Sequence, residues 1–130
     1  MRSYTIAVAS FAIDAPHRWT DNLLSHFEIP GVVSSRRGVA RKLTHAAIVR
    51  LAIIRQLHAR LGIGTGDAIR VTDELLCSEP VGDFESGHLK LSVNRAEVER
   101  AVNARLVEAL ESHPIRRRGR PPGKVTNAGM

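Results

Sequence analysis

Four cations, Arg36, Arg37, Arg41 and Lys42, gather around Gly38 in a stretch without an acid, and five more, Arg116, Arg117, Arg118, Arg120 and Lys124, crowd the C-terminal end around Gly119 and Pro121. Guanidinium and ammonium groups in such clusters bind phosphate oxygens, Arg through paired N–H donors and Lys as a point charge. The chemistry on offer is recognition of a polyanion. The tail adds a shape element in Arg118-Gly119-Arg120-Pro121. A glycine lets an extended backbone approach a partner closely, while flanking arginines supply donors to negative charge along it.

Bond-breaking chemistry has no comparable support. Asp67, Asp73 and Glu74 lack a partnered nucleophile, a metal site or a glycine-rich phosphate loop, so they are expected on a solvated helix face. Gly62, Gly64 and Gly66 follow no strand and form no nucleotide fingerprint. Cys77 stands alone, with no Cys or His at ligand spacing, which argues against a disulfide, a metal site or any cofactor. Of the six scattered histidines, His17 is the one expected near phosphate. An enzyme is the least expected class.

The whole composition agrees with a binding role. The 130 residues are 43% hydrophobic and 25% charged, as in an ordinary globular domain, and carry a net charge of +6. That charge is unevenly placed. Residues 1–60 hold nine bases and three acids, residues 61–113 five bases and ten acids, and residues 114–130 five bases and no acid. A basic front and a basic tail thus flank an acidic middle, and the middle is the natural place for packing or self-association. No apolar run approaches the roughly 20 residues of a bilayer span. The run Ile6 to Ile13 is short for a signal peptide, and the expected location is cytoplasmic.

The elements that must position these cations follow from periodicity and stop signals. Thr5 to Phe11 suits a short helix or a strand. Asp14 as N-cap with Pro16 in the first turn predicts a helix over 15–26 that turns Trp19, Leu23, Leu24 and Phe27 inward and stops at Pro30-Gly31. Val32 to Leu43 suits a basic hairpin-like turn between apolar flanks. Thr44 is expected to cap a helix over 45–61 with Ile48, Leu51, Ile54, Leu57 and Leu61 at spacings of three and four, ended by Gly62. A helix over 67–77, a loop at Pro80, Gly82 and Asp83, and a strand over 88–93 follow. Asn94 and Glu97 then open a helix over 95–112, and Pro114 ends the folded part.

Helix, tight turn, helix, basic wing, long helix, short helix is the order of a winged helix-turn-helix. Tyr4-Thr5-Ile6 through Ile13 and Pro16, Arg36-Arg37-Gly38 to Arg41-Lys42-Leu43-Thr44, Ile48-Val49-Arg50-Leu51 to Leu57, and Leu61-Gly62-Ile63 resemble the DNA-binding domain of the MerR superfamily over about residues 3–76. The resemblance implies a second helix in the major groove, an arginine-rich wing on the phosphates and a dimer on a palindromic site. On such a helix His17, Arg18 and Asn22 are the candidate DNA contacts, while Thr20-Asp21 stand where the family has an Arg followed by an aromatic. The tail, Arg116 to Lys124, resembles an AT-hook.

The expected architecture is mainly α. It comprises a winged helix-turn-helix over 1–76, a strand-helix extension over 77–113, and a disordered basic tail over 114–130. The apolar stripe Val98, Val102, Leu106 and Leu110 is expected to form a homodimer interface. The leading expectation is a DNA-binding transcriptional regulator; the alternative is an architectural DNA-binding factor of a phage or mobile element, of excisionase or small terminase type. Truncation after His113 should leave folding intact and lower duplex affinity most at A·T-flanked sites, because a tethered arm meets nearby DNA at high effective concentration. Equal losses at A·T- and G·C-flanked sites, measured by competition binding, would make the tail a generic cationic arm.

Overall fold

A computed structural model describes residues 2–33, 41–77 and 83–112. The elements run β1 (Ser3–Tyr4), α1 (Ile6–Ala12), α2 (His17–His26), β2 (Val32–Val33), β3 (Lys42–Thr44), α3 (His45–Leu61), α4 (Thr65–Cys77), β4 (Asp83–Ser86), β5 (Leu89–Ser92) and α5 (Arg95–Ser112). The described chain is mainly helical.

Two strand-to-helix junctions are built alike. Thr5 leaves β1 and Thr44 ends β3, both extended, and each Oγ1 accepts the N–H three residues on, from Val8 and Ala47, at 3.2 Å. Each junction satisfies an orphan donor at a helix start. The strands are neighbours: β3 is central in a three-stranded antiparallel sheet, with Tyr4 and Val32 on either side of the buried Leu43. α3 leaves this sheet and buries Ala47, Ile48, Val49, Leu51, Ala52, Ile53, Ile54 and Leu57. A helix buried on that many positions must be covered on several sides, and α1, α4, α5 and β3 all pack against it. Gly62, in the left-handed region at φ 70°, donates to the His58 carbonyl and ends α3 as its sequence predicts.

Several expectations are corrected. Asp14 does not cap α2; it sits at φ 57° just past α1, where its N–H bonds the Phe11 carbonyl and the Ala15 N–H bonds the Ser10 carbonyl. These two bonds are a Schellman closure of α1. The N-cap of α2 is Pro16, which offers no capping side chain, and the helix ends at His26, leaving Phe27 38% exposed. α4 begins two residues before Asp67. The expected loop at Asp83 is strand β4, paired with β5 through a turn at Gly87, φ 60°. Asn94 caps α5 as expected, its Oδ1 accepting from the Glu97 N–H at 3.1 Å.

The largest correction concerns α5. Val102 and Leu106, 2% and 4% exposed, belong to the chain's own hydrophobic cluster with α1 and α3, and Val98 packs against that cluster. They are therefore unavailable as a dimer surface, and only Leu110 of that set stands apart from the cluster, half-buried. Arg105 fastens the same contact: its Nε donates to the Phe11 carbonyl at 2.8 Å and its guanidinium lies 4.5 Å from the Phe11 ring centre. The described part of the expected strand-helix extension, residues 83–112, thus shares a core with the front half.

Among the described glycines, the tightest approach is at Gly31, where the hairpin base meets α3. Gly31, at φ +89°, accepts the Thr44 N–H at 3.0 Å, and a Cβ there would lie 2.5 Å from Thr44 Oγ1. Gly31→Ala should therefore destabilise the fold by about 2–4 kcal/mol, combining left-handed strain with overpacking. In urea titrations, Thr44→Ala should cost about 1 kcal/mol alone and clearly less in the Gly31→Ala background. Additive losses would disprove the collision.

Candidate nucleic-acid interface

α2 is amphipathic. At about 100° per residue, its buried side holds Thr20, Leu23 and Leu24, and the opposite line holds the exposed Arg18, Asn22 and Ser25. Asp21 and Trp19 occupy the two flanks, and each fastens the helix to a different neighbour.

On the buried side, Ser10 Oγ of α1 donates to Thr20 Oγ1 at 2.8 Å, with both residues buried. Thr20 is therefore an α1–α2 contact, which explains why a small hydroxyl stands there. On one flank, Arg41 at the start of the β3 arm reaches Asp21 Oδ1 at 3.3 Å, tying the hairpin base to α2. On the other flank, the half-buried Trp19 lies under the Arg55 guanidinium, 5.0 Å from ring centre, and 6.0 Å from the His58 ring. His58 is itself oriented by Nδ1, which donates to the Ile63 carbonyl at 2.9 Å. α2 is thus gripped on three sides, with its fourth side in solvent.

Of the sequence-predicted contacts, Arg18 and Asn22 share the exposed line and His17 is exposed at the start of the same helix. Arg41 and Lys42 lie at the neighbouring hairpin base, with Lys42 exposed. Arg36, Arg37, Arg116, Arg117, Arg118, Gly119, Arg120, Pro121 and Lys124 lie outside the described residues. Among the described residues, no group of three His, Cys, Asp or Glu side chains is placed to hold a metal ion.

The charges sort by region. From residue 61 onward every described base faces an acid: Arg70–Asp67 at 3.0 Å, Lys90–Glu85 at 3.9 Å, Arg95–Glu99 at 3.1 Å, Arg100–Glu97 at 2.9 Å and Arg105–Asp14 at 3.9 Å. Arg50 of α3 likewise pairs with Asp73 of α4. Arg18, Lys42, Arg55 and Arg60 have no carboxylate within 4.0 Å among the described residues. Arginines on a helix as long as α3 ordinarily belong to a solvated polar face. The signal that sets Arg55 and Arg60 apart is the lack of any acid in α3, so no helical neighbour can pair with them.

Compared with family models and with curated protein sequences, the chain has no match.

The buried hydroxyl pair makes a measurable prediction for how α2 is held. Ser10→Ala should cost about 1–2 kcal/mol in urea unfolding, because Thr20 loses a buried partner. Adding Thr20→Val, which keeps the volume and removes the unmatched oxygen, should recover much of that loss. A double variant no more stable than Ser10→Ala would show that the bond is unimportant.

Proposed function

We propose that the protein is a DNA-binding regulator of transcription built as a MerR-like winged helix-turn-helix, with α1 and α2 as the helix pair and the β2–β3 hairpin as the wing. The observation that carries this reading is the exposed line Arg18, Asn22 and Ser25, on a helix whose hydrophobic side is buried and whose flank is tied by Asp21–Arg41 to a basic hairpin base.

A B-form major groove is about 12 Å wide and admits one α-helix, so a helix offered with one free face suits it. Arg18 has the donor fork that recognises guanine O6 and N7, and Asn22 the amide that pairs with adenine N6 and N7. Lys42 is exposed with no carboxylate partner among the described residues, Arg41 adjoins it at the hairpin base, and Arg36 and Arg37 fall between β2 and β3 in the sequence. Their role is phosphate contact, which supplies affinity and register without sequence choice. The start of α2 supports the same reading, since it carries no acid in its first turn and no side-chain cap, leaving N–H groups open to an anion. The basic tail extends the contact into an adjacent minor groove.

Selection of duplexes from a random library tests the reading. Arg18→Ala and Asn22→Ala should relax the choice at one or two base positions by about 1–3 kcal/mol each. Lys42→Ala should instead weaken all duplexes alike and flatten the log K against log salt slope by roughly 0.9. A chain that binds no duplex at low salt would overturn the proposal.

A further inference from the structure

Between α3 and the α1–α2 turn lies an open notch lined by Ile13, Asp14, Arg55, Gln56, Ala59 and Arg60. It adjoins the start of α2, because Asp14 precedes the N-cap Pro16 by two residues. Two features of the notch bear on what it binds.

The first is the state of its arginines. Neither Arg55 nor Arg60 has a carboxylate partner among the described residues, and α3 has no acid to offer one. Arg55 is half-buried and stacked near the Trp19 ring. Stacking engages the face of a guanidinium and leaves its N–H donors, which lie in the plane, available at the edge. The aromatic platform therefore restrains the group while leaving its hydrogen-bonding capacity unmatched. The second feature is the one acid in the lining, Asp14. Its Oδ1 stands 3.9 Å from Arg105 Nη2 of α5, and its side chain is 91% exposed, so solvent screens much of its charge. A pre-oriented guanidinium and a second free one thus outnumber a single screened carboxylate, and the site is short of negative charge.

We propose that Arg55 and Arg60 in this notch bind a phosphate group of the DNA backbone next to the groove that α2 enters. The proposal rests on the DNA-binding reading above and adds to it a contact surface on α3, separate from the hairpin.

The test uses the full chain and its single tryptophan, Trp19, as a built-in reporter beside Arg55. Duplex binding is measured by anisotropy across a salt series for wild type, Arg55→Gln/Arg60→Gln, Arg60→Gln, Asp14→Asn and, as a remote charge control, Glu111→Gln. The double variant should bind on the order of tenfold more weakly, with a salt slope flattened by roughly one to two at about 0.9 per contact. Arg60→Gln removes an exposed side chain with no described partner, so it tests the site without disturbing Trp19, and it should flatten the slope by roughly 0.9. Asp14→Asn keeps a residue tolerant of the left-handed backbone and should tighten binding severalfold, whereas Glu111→Gln should not. Inorganic phosphate is titrated separately against Trp19 emission at constant ionic strength. Flattened slopes in both arginine variants support the backbone contact. A saturable phosphate response, lost in the double variant while duplex slopes stay unchanged, assigns the notch to a free phosphate and overturns it. Wild-type duplex binding with unchanged slopes and no phosphate response overturns the notch alone; no wild-type duplex binding overturns the DNA-binding reading and the backbone contact together.

Discussion

Helix α3 is buried from Ala47 to Leu57 on so many positions that it cannot rest on a surface, and the rest of the fold is arranged to cover it. β3 feeds directly into it, α1 and α4 pack beside it, and α5 returns from the far end of the chain to close the remaining side. That last contact accounts for the apolar stripe on α5. Val102 and Leu106 are needed to finish a core begun by α1 and α3, so a stripe that suggests self-association in isolation is consumed within one chain. α2 is the exception: it leans on α1 through Ser10–Thr20 and keeps a whole face in solvent.

The same arrangement separates the charges. Pairs such as Arg95–Glu99 and Arg100–Glu97 are exposed, and exposed pairs contribute little to stability. Their consequence is electrostatic. They neutralise the bases of the acidic middle, so cations without a described carboxylate partner, among them Arg18, Lys42, Arg55 and Arg60, remain on α2, at the hairpin base and on α3. Asp21 is the informative departure. It reduces positive charge on the proposed DNA-facing side, yet its bond to Arg41 joins two elements that would otherwise repel one another through their own cations. Orientation is obtained there at the expense of some attraction for phosphate.

Much of this was legible from residue order. The boundaries of α3 and α5 followed from Thr44, Gly62, Asn94 and a sustained three-and-four spacing, because long periodic helices with caps carry redundant signals. Short elements were not. Asp14 has the composition of an N-cap but closes the preceding helix, since Asp tolerates a left-handed backbone as well as it caps. Strand β4 was hidden because four residues with one aromatic show no period, and its partner β5 is what makes it a strand.

In the candidate site, residue order alone shows where charge is unmatched: nine bases against three acids in the first 60 positions, with no acid on α3 to answer Arg55 or Arg60. It also shows that Arg18 and Asn22 fall on one side of α2, because a helix repeats every 3.6 residues. What covers each face emerges only in the folded chain. It turned Thr20 inward against Ser10, stacked Arg55 on Trp19 and buried Val102 and Leu106 within the chain. Periodicity assigns a side chain to a direction, but its neighbour in that direction comes from a distant part of the chain, and local spacing contains no information about that distance.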